Sequence, residues 1–215
     1  MSANDVSPAG RPRRTQAARR AETERRVLEA TMAIIAERGV RAVTAAAVGE
    51  AAGYSRGIVN HQFGTRQALL SAVAETVQSR FDPNPDGRRG REHVRSLVAR
   101  YLSSLHSDPQ DIRVFLRLLA AAISGEEPGL QAIFAERDAH FRQHVAEALL
   151  EGRRDRSVRA DLDPAATASV IVGQLRGIAL QLQLAPELIA PDLLVKDAVQ
   201  LVDHALRPGE AAAEA

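Results

Sequence analysis

Residues 44–70, TAAAVGEAAGYSRGIVNHQFGTRQALL, constrain this chain more than any other stretch. They read as two short helices around a glycine turn, with a third helix following at once. Thr44 is suited to cap the first, residues 45–52, because its hydroxyl can accept from an otherwise unpaired amide of the first turn. Gly53 supplies the left-handed backbone that carries the chain out of that helix. Ser55 caps the second, residues 56–62. Helices this short do not hold alone in water, so their neighbours must bury one face. Helix, glycine turn, helix is the arrangement that lays its second helix in the major groove of DNA.

Upstream, residues 21–44 read AETERRVLEATMAIIAERGVRAVT. Together the two segments resemble the N-terminal domain of the TetR (tetracycline-repressor-like) family of transcription regulators. The matching positions are Ala30, Gly39, Thr44, Ala51, Ala52, Gly53, Ser55, Gly57, His61, Phe63, Leu69 and Leu70. Val48-Gly49 stands where the family usually has Ile-Ala. Asn60 and Gln62 occupy places that are often Tyr, and Arg66 replaces a frequent Lys. Asn, Gln and Arg also bond phosphate, so these departures bear on base preference rather than on docking.

The chain has 215 residues and no cysteine, which excludes disulfides, thiolate metal sites and cysteine nucleophiles. That length allows one or two domains with a sizeable core. No apolar run approaches the roughly 18–20 residues of a membrane span, and the basic N-terminus lacks a signal-peptide core. A cytoplasmic protein is expected. The net charge is only +1, but residues 1–66 carry 11 arginines against 6 acidic residues, whereas residues 67–215 carry 17 cations against 21 acids. A basic first third on a mildly acidic remainder implies that only the first part meets a polyanion.

Apolar residues recur at helical spacing along nearly the whole chain. An all-α fold of about nine helices is expected: a three-helix head, a connecting helix and a helical body. The expected divisions are a disordered basic arm (1–19), a helix-turn-helix domain (20–66), a regulatory and dimerisation body (67–207) and a disordered tail (208–215). The arm holds Arg11, Arg13, Arg14, Arg19 and Arg20. It reads either as a solvated tail or as a segment that tracks phosphates beside the helix-turn-helix. The first helix, from about residue 20 to 38, carries Val27, Leu28, Thr31, Ile34 and Ile35 on one face. Residues 82–91, DPNPDGRRGR, break the pattern, and residues 151–159 read as a solvated loop. Asp163-Pro164 is a cap followed by a proline at the first helical position.

Within the head, Arg56 is best placed to read a base, since its fork pairs with guanine O6 and N7. Tyr54, Ser55 and Asn60 are candidates for phosphate or base, and His61 and Gln62 for the backbone. Thr44 and Arg66 stand at helix starts, where exposed amides add to phosphate binding. Val48, Ala52, Ile58, Val59 and Phe63 are expected on the packed side. A two-fold dimer would double the contacts and predicts a palindromic operator.

In the body, residues 163–184 are apolar nearly all round and predict burial on most faces. Gly173 and Gly177 allow a close helix approach. Val170, Gly173 and Gly177, with Leu194, Ala198, Leu201, Val202 and Ala205 of the last helix, are candidates for a four-helix interface between two copies. The family resemblance implies the same interface, and a body pocket for an unidentified small-molecule effector. Tyr101, Phe115, Leu119, Phe134, Phe141, Gln174 and Gln181 are candidate lining residues, each of which also reads as ordinary core. Arg117 and Arg176, inside apolar helices, read equally as partners of an acidic ligand, as internal ion pairs or as exposed. His140 and His144 share a helix face with Glu136; with Arg137 and Arg142 beside them they read as a wet surface rather than a metal site. No cofactor is expected.

These features point to a dimeric DNA-binding regulator, a repressor released from its operator by a ligand. The alternatives are a DNA-binding regulator controlled by a protein partner or by abundance, and, remotely, an enzyme in the body. No paired carboxylates, GxSxG elbow, phosphate loop or HExxH motif supports the last.

Overall fold

The computed structural model describes residues 15–81, 83, 87–107, 109–188 and 190–209. Among the described residues there are nine α-helices and no strand, as the apolar spacing predicts. They are α1 Gln16–Arg38, α2 Ala45–Ala52, α3 Arg56–Phe63, α4 Arg66–Ser79, α5 Gly90–Ser107, α6 Pro109–Ile123, α7 Pro128–Arg154, α8 Pro164–Leu184 and α9 Pro191–Leu206. Two short 3₁₀ turns, Val40–Ala42 and Pro186–Leu188, precede α2 and α9. Local chemistry sets the helix starts. Thr15, Thr44, Ser55, Thr65 and Asp163 each accept from an amide within the first turn. Proline opens α7, α8 and α9, where its missing N–H costs nothing.

Three expectations change. α1 starts at Gln16, not near residue 20, because Thr15 Oγ1 accepts from Ala18 N at 3.2 Å. Arg19 and Arg20 are therefore exposed helical residues rather than part of a loose arm. The rest of the expected arm, with Arg11, Arg13 and Arg14, and residues 210–215 of the expected tail lie outside the described residues. Second, α7 continues to Arg154, into the run expected to be a loop, because Gly152 and Val158 are buried there. Third, α8 is long and apolar enough by itself to cross a membrane. It does not need one. Ile171, Val172, Leu175, Ile178, Ala179 and Leu182 are buried within the body, while Val170, Leu180 and Leu184 are exposed on its other side.

The hydrophobic core has two clusters. The first gathers Val27, Ile34 and Ile35 of α1, Val48 of α2, Val59 of α3 and Leu69, Leu70 and Val73 of α4. It does not stop at the head: Val114 and Leu118 of α6 and Leu130 and Phe134 of α7 belong to it. The second cluster joins Leu97 and Leu102 of α5, Val145 and Leu149 of α7, Leu175 of α8 and Val202 and Leu206 of α9. α6 and α7 thus serve both clusters and tie the DNA-facing end to the body.

The start of α5 crosses the end of α7 closely. A Cβ on Gly152 would lie 2.4 Å from Val158 Cγ2 and 3.2 Å from Arg91 N. Val158 is β-branched and buried, so it cannot swing away. Gly152→Ala is expected to cost about 1–3 kcal/mol, read as a lowered midpoint in urea unfolding. An unchanged midpoint would show that the crossing tolerates a methyl group.

Candidate nucleic-acid interface and body cavity

The helix-turn-helix is built as its caps dictate. Thr44 Oγ1 accepts from Ala47 N at 3.1 Å. Gly53 adopts φ 74°, ψ 31°, the left-handed turn that ends α2, and Tyr54 N closes it on Gly49 O at 2.7 Å. Ser55 then caps α3. Val59 is buried against Val48, and Ala52, Tyr54 and Phe63 pack half-buried on the same core. This fixes the roll of α3 and leaves Arg56, Gly57, Ile58, Asn60 and His61 facing solvent, with Thr44 and Ser55 exposed beside them.

Of the expected residues Thr44, Ser55, Arg56, Asn60 and His61 are outward and exposed, Tyr54 and Gln62 are half-buried, and two further positions are corrected. Ile58 was expected on the packed side but is 42 % exposed, because Val59, one residue on, takes the inward position. With Gly57 it adds an apolar, sterically open strip to the outward face. Such a strip suits a thymine methyl and close backbone approach. Sequence reasoning missed both as functional candidates. The available signal was an isoleucine beside a glycine in a helix too short to bury both Ile58 and Val59. Arg66 is the second correction. It turns inward, donating from Nε to Val43 O at 2.8 Å, from Nη2 to Val40 O at 2.8 Å and from Nη1 to Glu127 at 2.6 Å. Three of its five N–H groups are thus taken by protein acceptors, so it serves as a tie to the start of α7. Gln62 donates to Glu24 at 3.1 Å, and Thr23 Oγ1 lies 3.5 Å from the Tyr54 hydroxyl, at the limit of a hydrogen bond.

Two further arginines cross between head and body. Arg117 of α6 donates to Ile35 O at the end of α1 at 2.6 Å, so it is not held for an acidic ligand. Arg41 pairs with Glu126 at 2.7 Å on an exposed rim.

The body holds a cavity of about 550 Å³, open to solvent on one side, between α4, α5, α6, α7 and α8. The chain has only seven aromatic side chains, five Phe and two Tyr, and no Trp. Phe81, Tyr101, Phe115, Phe134 and Phe141 line this one cavity; Tyr54 and Phe63 are in the head. Phe81 meets Tyr101 and Phe141 edge to face, with centroids 5.0 and 5.7 Å apart. Of the residues expected to line it, Tyr101, Phe115, Phe134 and Phe141 lie at the cavity wall. Leu119 packs instead into the head cluster. Gln181 lies on the exposed side of α8, and Gln174 is turned from the wall formed by Val172, Leu175 and Arg176.

The cavity's acidic groups are both paired with arginines. Arg80 pairs with Asp111, and Asp138 is shared by Arg142 and Arg176. Burial holds the Arg176 guanidinium below its ordinary value and pushes the Tyr101 phenol up. At one end, His144 meets His93 rather than His140. Their Nε2 atoms are 3.1 Å apart and lie 3.0 and 3.2 Å from Pro83 O, in the connection between α4 and α5.

Burial holds His93 below its ordinary value; His144 and Arg100 push it the same way, while the Pro83 carbonyl and Glu151 oppose. Its folded value is thus depressed, so the unfolded chain binds more protons. Stability is expected to be full above about pH 6.5 and to fall as pH drops from there through the depressed value. Melting curves down a pH series test this: His93→Gln should flatten the acid limb, and an identical limb would assign the loss to other groups.

The proposed interface helices differ from expectation in detail. Val170 is 70 % and Leu201 66 % exposed, and Gly173, Gly177 and Ala205 are exposed with them. Ala198 and Val202 are buried in the subunit's own second cluster, where α9 packs on α5, and Leu194 is half-buried there. Ala198 and Val202 are therefore not free to meet a partner, and Leu194 is free only in part.

Comparisons with known proteins agree with this geometry. Residues 27–73 match the family model described as "Bacterial regulatory proteins, tetR family". Residues 90–207 match that described as "BetI-type transcriptional repressor, C-terminal". Among curated proteins no sequence matches the chain. The fold is similar to that of the SmeT–triclosan complex (TM-score 0.73, 20 % identity, covering 86 % of this chain and 91 % of that one). It is also similar to a transcriptional regulator from Rhodococcus sp. Rha1 (0.71, 17 %, covering 85 % and 95 %). A third is NalD of Pseudomonas aeruginosa, the secondary repressor of the MexAB-OprM multidrug efflux pump (0.67, 16 %, covering 87 % and 96 %). At these identities the likeness is one of fold.

Proposed function

The chain belongs to the TetR family of bacterial transcriptional regulators, and from that we propose how it works: as a dimeric repressor, released from a palindromic operator when a small molecule fills the body cavity. It acts in the cytoplasm, where operator DNA is. The observation that carries this reading is the cavity's wall. Val77 and Gln78 at the end of α4, and Phe81 just beyond it, line the cavity, and α4 is the helix that follows the recognition helix α3 and packs into the same core. A ligand there touches the support of the DNA-reading element directly.

In the DNA-bound state two copies present α3 to successive major grooves. Arg56 pairs with a guanine edge, Ile58 meets a methyl group, and Thr44, Tyr54, Ser55, Asn60 and His61 hold base edges or backbone. The exposed faces of α8 and α9, with Val170, Gly173, Gly177, Leu201 and Ala205, join the copies. Ligand favours a body conformation in which α4 and the α6–α7 corner are shifted. Arg66, Arg117 and Arg41 pass that shift to the head. The equilibrium moves only by the ligand's difference in affinity for the two states. The cavity favours this reading over control by a protein partner alone.

The test is fluorescence anisotropy with the DNA upstream of the protein's own gene, across a salt series, beside Arg56→Ala. Tight, palindrome-dependent binding that weakens steeply with salt is expected. The variant is expected to lose about 1–3 kcal/mol of base discrimination. If the protein selects no sequence from a genome-wide pool, the reading fails.

A further inference from the structure

We infer that the cavity takes an organic anion, a flat apolar body carrying one carboxylate-like group, with that group held by Arg176 and Arg137. The inference rests on the reading of the cavity as the effector site. Its apolar part follows from placement: in a chain so poor in aromatics, five of the seven converge on one space. Core packing alone has no need of this, since the second cluster is built mainly of Leu, Val, Ile and Ala.

The charged part follows from an imbalance. Arg142 and Arg176 share the single carboxylate of Asp138. Arg137, on the same helix and at the cavity wall, is exposed and makes no ion pair among the described residues. At this wall two guanidiniums, Arg137 and Arg176, thus face one carboxylate, Asp138, which Arg142 from outside the cavity also draws on. Arg176 is partly withdrawn from water, and half a carboxylate does not offset that desolvation. A second carboxylate would, in the forked geometry guanidinium prefers. On the opposite side Arg80 and Asp111 form a pair, so they add no net charge to the balance. A cation is disfavoured. It would meet the excess of guanidinium, and the faces and edges of Phe81, Tyr101 and Phe141 are already turned on one another.

Three probes of one shape separate the possibilities: naphthylacetate, naphthylacetamide and naphthylethylammonium, titrated into the full-length protein by calorimetry and, in parallel, into its complex with operator DNA. The anion is expected to bind about tenfold tighter than the amide, the size of one charge-assisted hydrogen bond, and the ammonium weakest. Arg137→Gln and Arg176→Gln are expected to erase the preference for acid over amide. Arg137 has no protein partner, so its variant folds whatever becomes of Arg176→Gln. Equal binding of acid and amide, or tighter binding of the ammonium, overturns the inference and leaves the effector cavity standing. If no probe binds and none releases DNA, the effector reading itself fails and the inference with it.

Discussion

Val170→Arg is expected to leave a folded monomer that has lost its operator. The side chain is 70 % exposed on α8, so its own subunit gives up almost no buried surface. Beside it, a Cβ added to Gly173 or Gly177 would meet nothing within 4 Å, which leaves a shallow open track for a second helix. In a two-fold interface the same position from both copies lies near the axis. Two guanidiniums buried there without acids cost several kcal/mol. A monomer offers one short recognition helix instead of two, and operator affinity is expected to fall on the order of 10³-fold, toward non-specific binding. Sedimentation equilibrium reads the mass, circular dichroism the fold and anisotropy the affinity. Leu201→Arg, equally exposed on α9, should repeat the result. A variant that stays dimeric and keeps its affinity would remove this face from the interface.

Arg66→Ala is expected to be the most destabilising change at a residue that is not apolar core. Its guanidinium satisfies two backbone carbonyls, Val40 O and Val43 O, and pairs with the half-buried Glu127. Each such bond to a charged group is worth about 1.5–3 kcal/mol. Because Arg66 is partly exposed, its three bonds fall short of their sum, and we expect roughly 3 kcal/mol in total, or a melting temperature lower by about 6–12 °C. Arg66→Lys should not restore it, since a point charge on a flexible stem cannot reach three acceptors at once. Melting within about a degree of the wild type would refute the tie. The functional consequence follows from position. With the corner of α6 and α7 released from the turn between α1 and α2, filling the cavity should no longer weaken operator binding, even where binding itself survives.

Much of the fold is local and was legible. α2 was placed residue for residue, because Thr44 and Gly53 bracket it with a cap and a left-handed turn. α8 begins at Pro164 for an equally local reason, the Asp163 cap followed by proline. α1 was started too late because Thr15 sits in a Pro- and Arg-rich run that reads as tail, and only its bond to Ala18 N marks the helix. The body cavity was half legible. Tyr101, Phe115, Phe134 and Phe141 were identifiable as scarce aromatics on separate helices, but Phe81 joined them only when the end of α4 met α5 and α7.

What the sequence by itself determined is whatever depends on neighbours in the chain: the helix starts, the glycine turn, the charge asymmetry and the motif that carries the family. What only the tertiary structure decided is which way each side chain points once helices pack. Ile58 and Val59 are adjacent and equally apolar, and the contact of α3 with Val48 alone sends one outward and one inward. Ala198 and Val202 looked as free as Leu201 until α5 covered them. Arg66 matched a phosphate-binding position in sequence, and three acceptors from distant turns claimed it instead. In each case the local preference is nearly degenerate, and a helix packed from elsewhere in the chain breaks the tie.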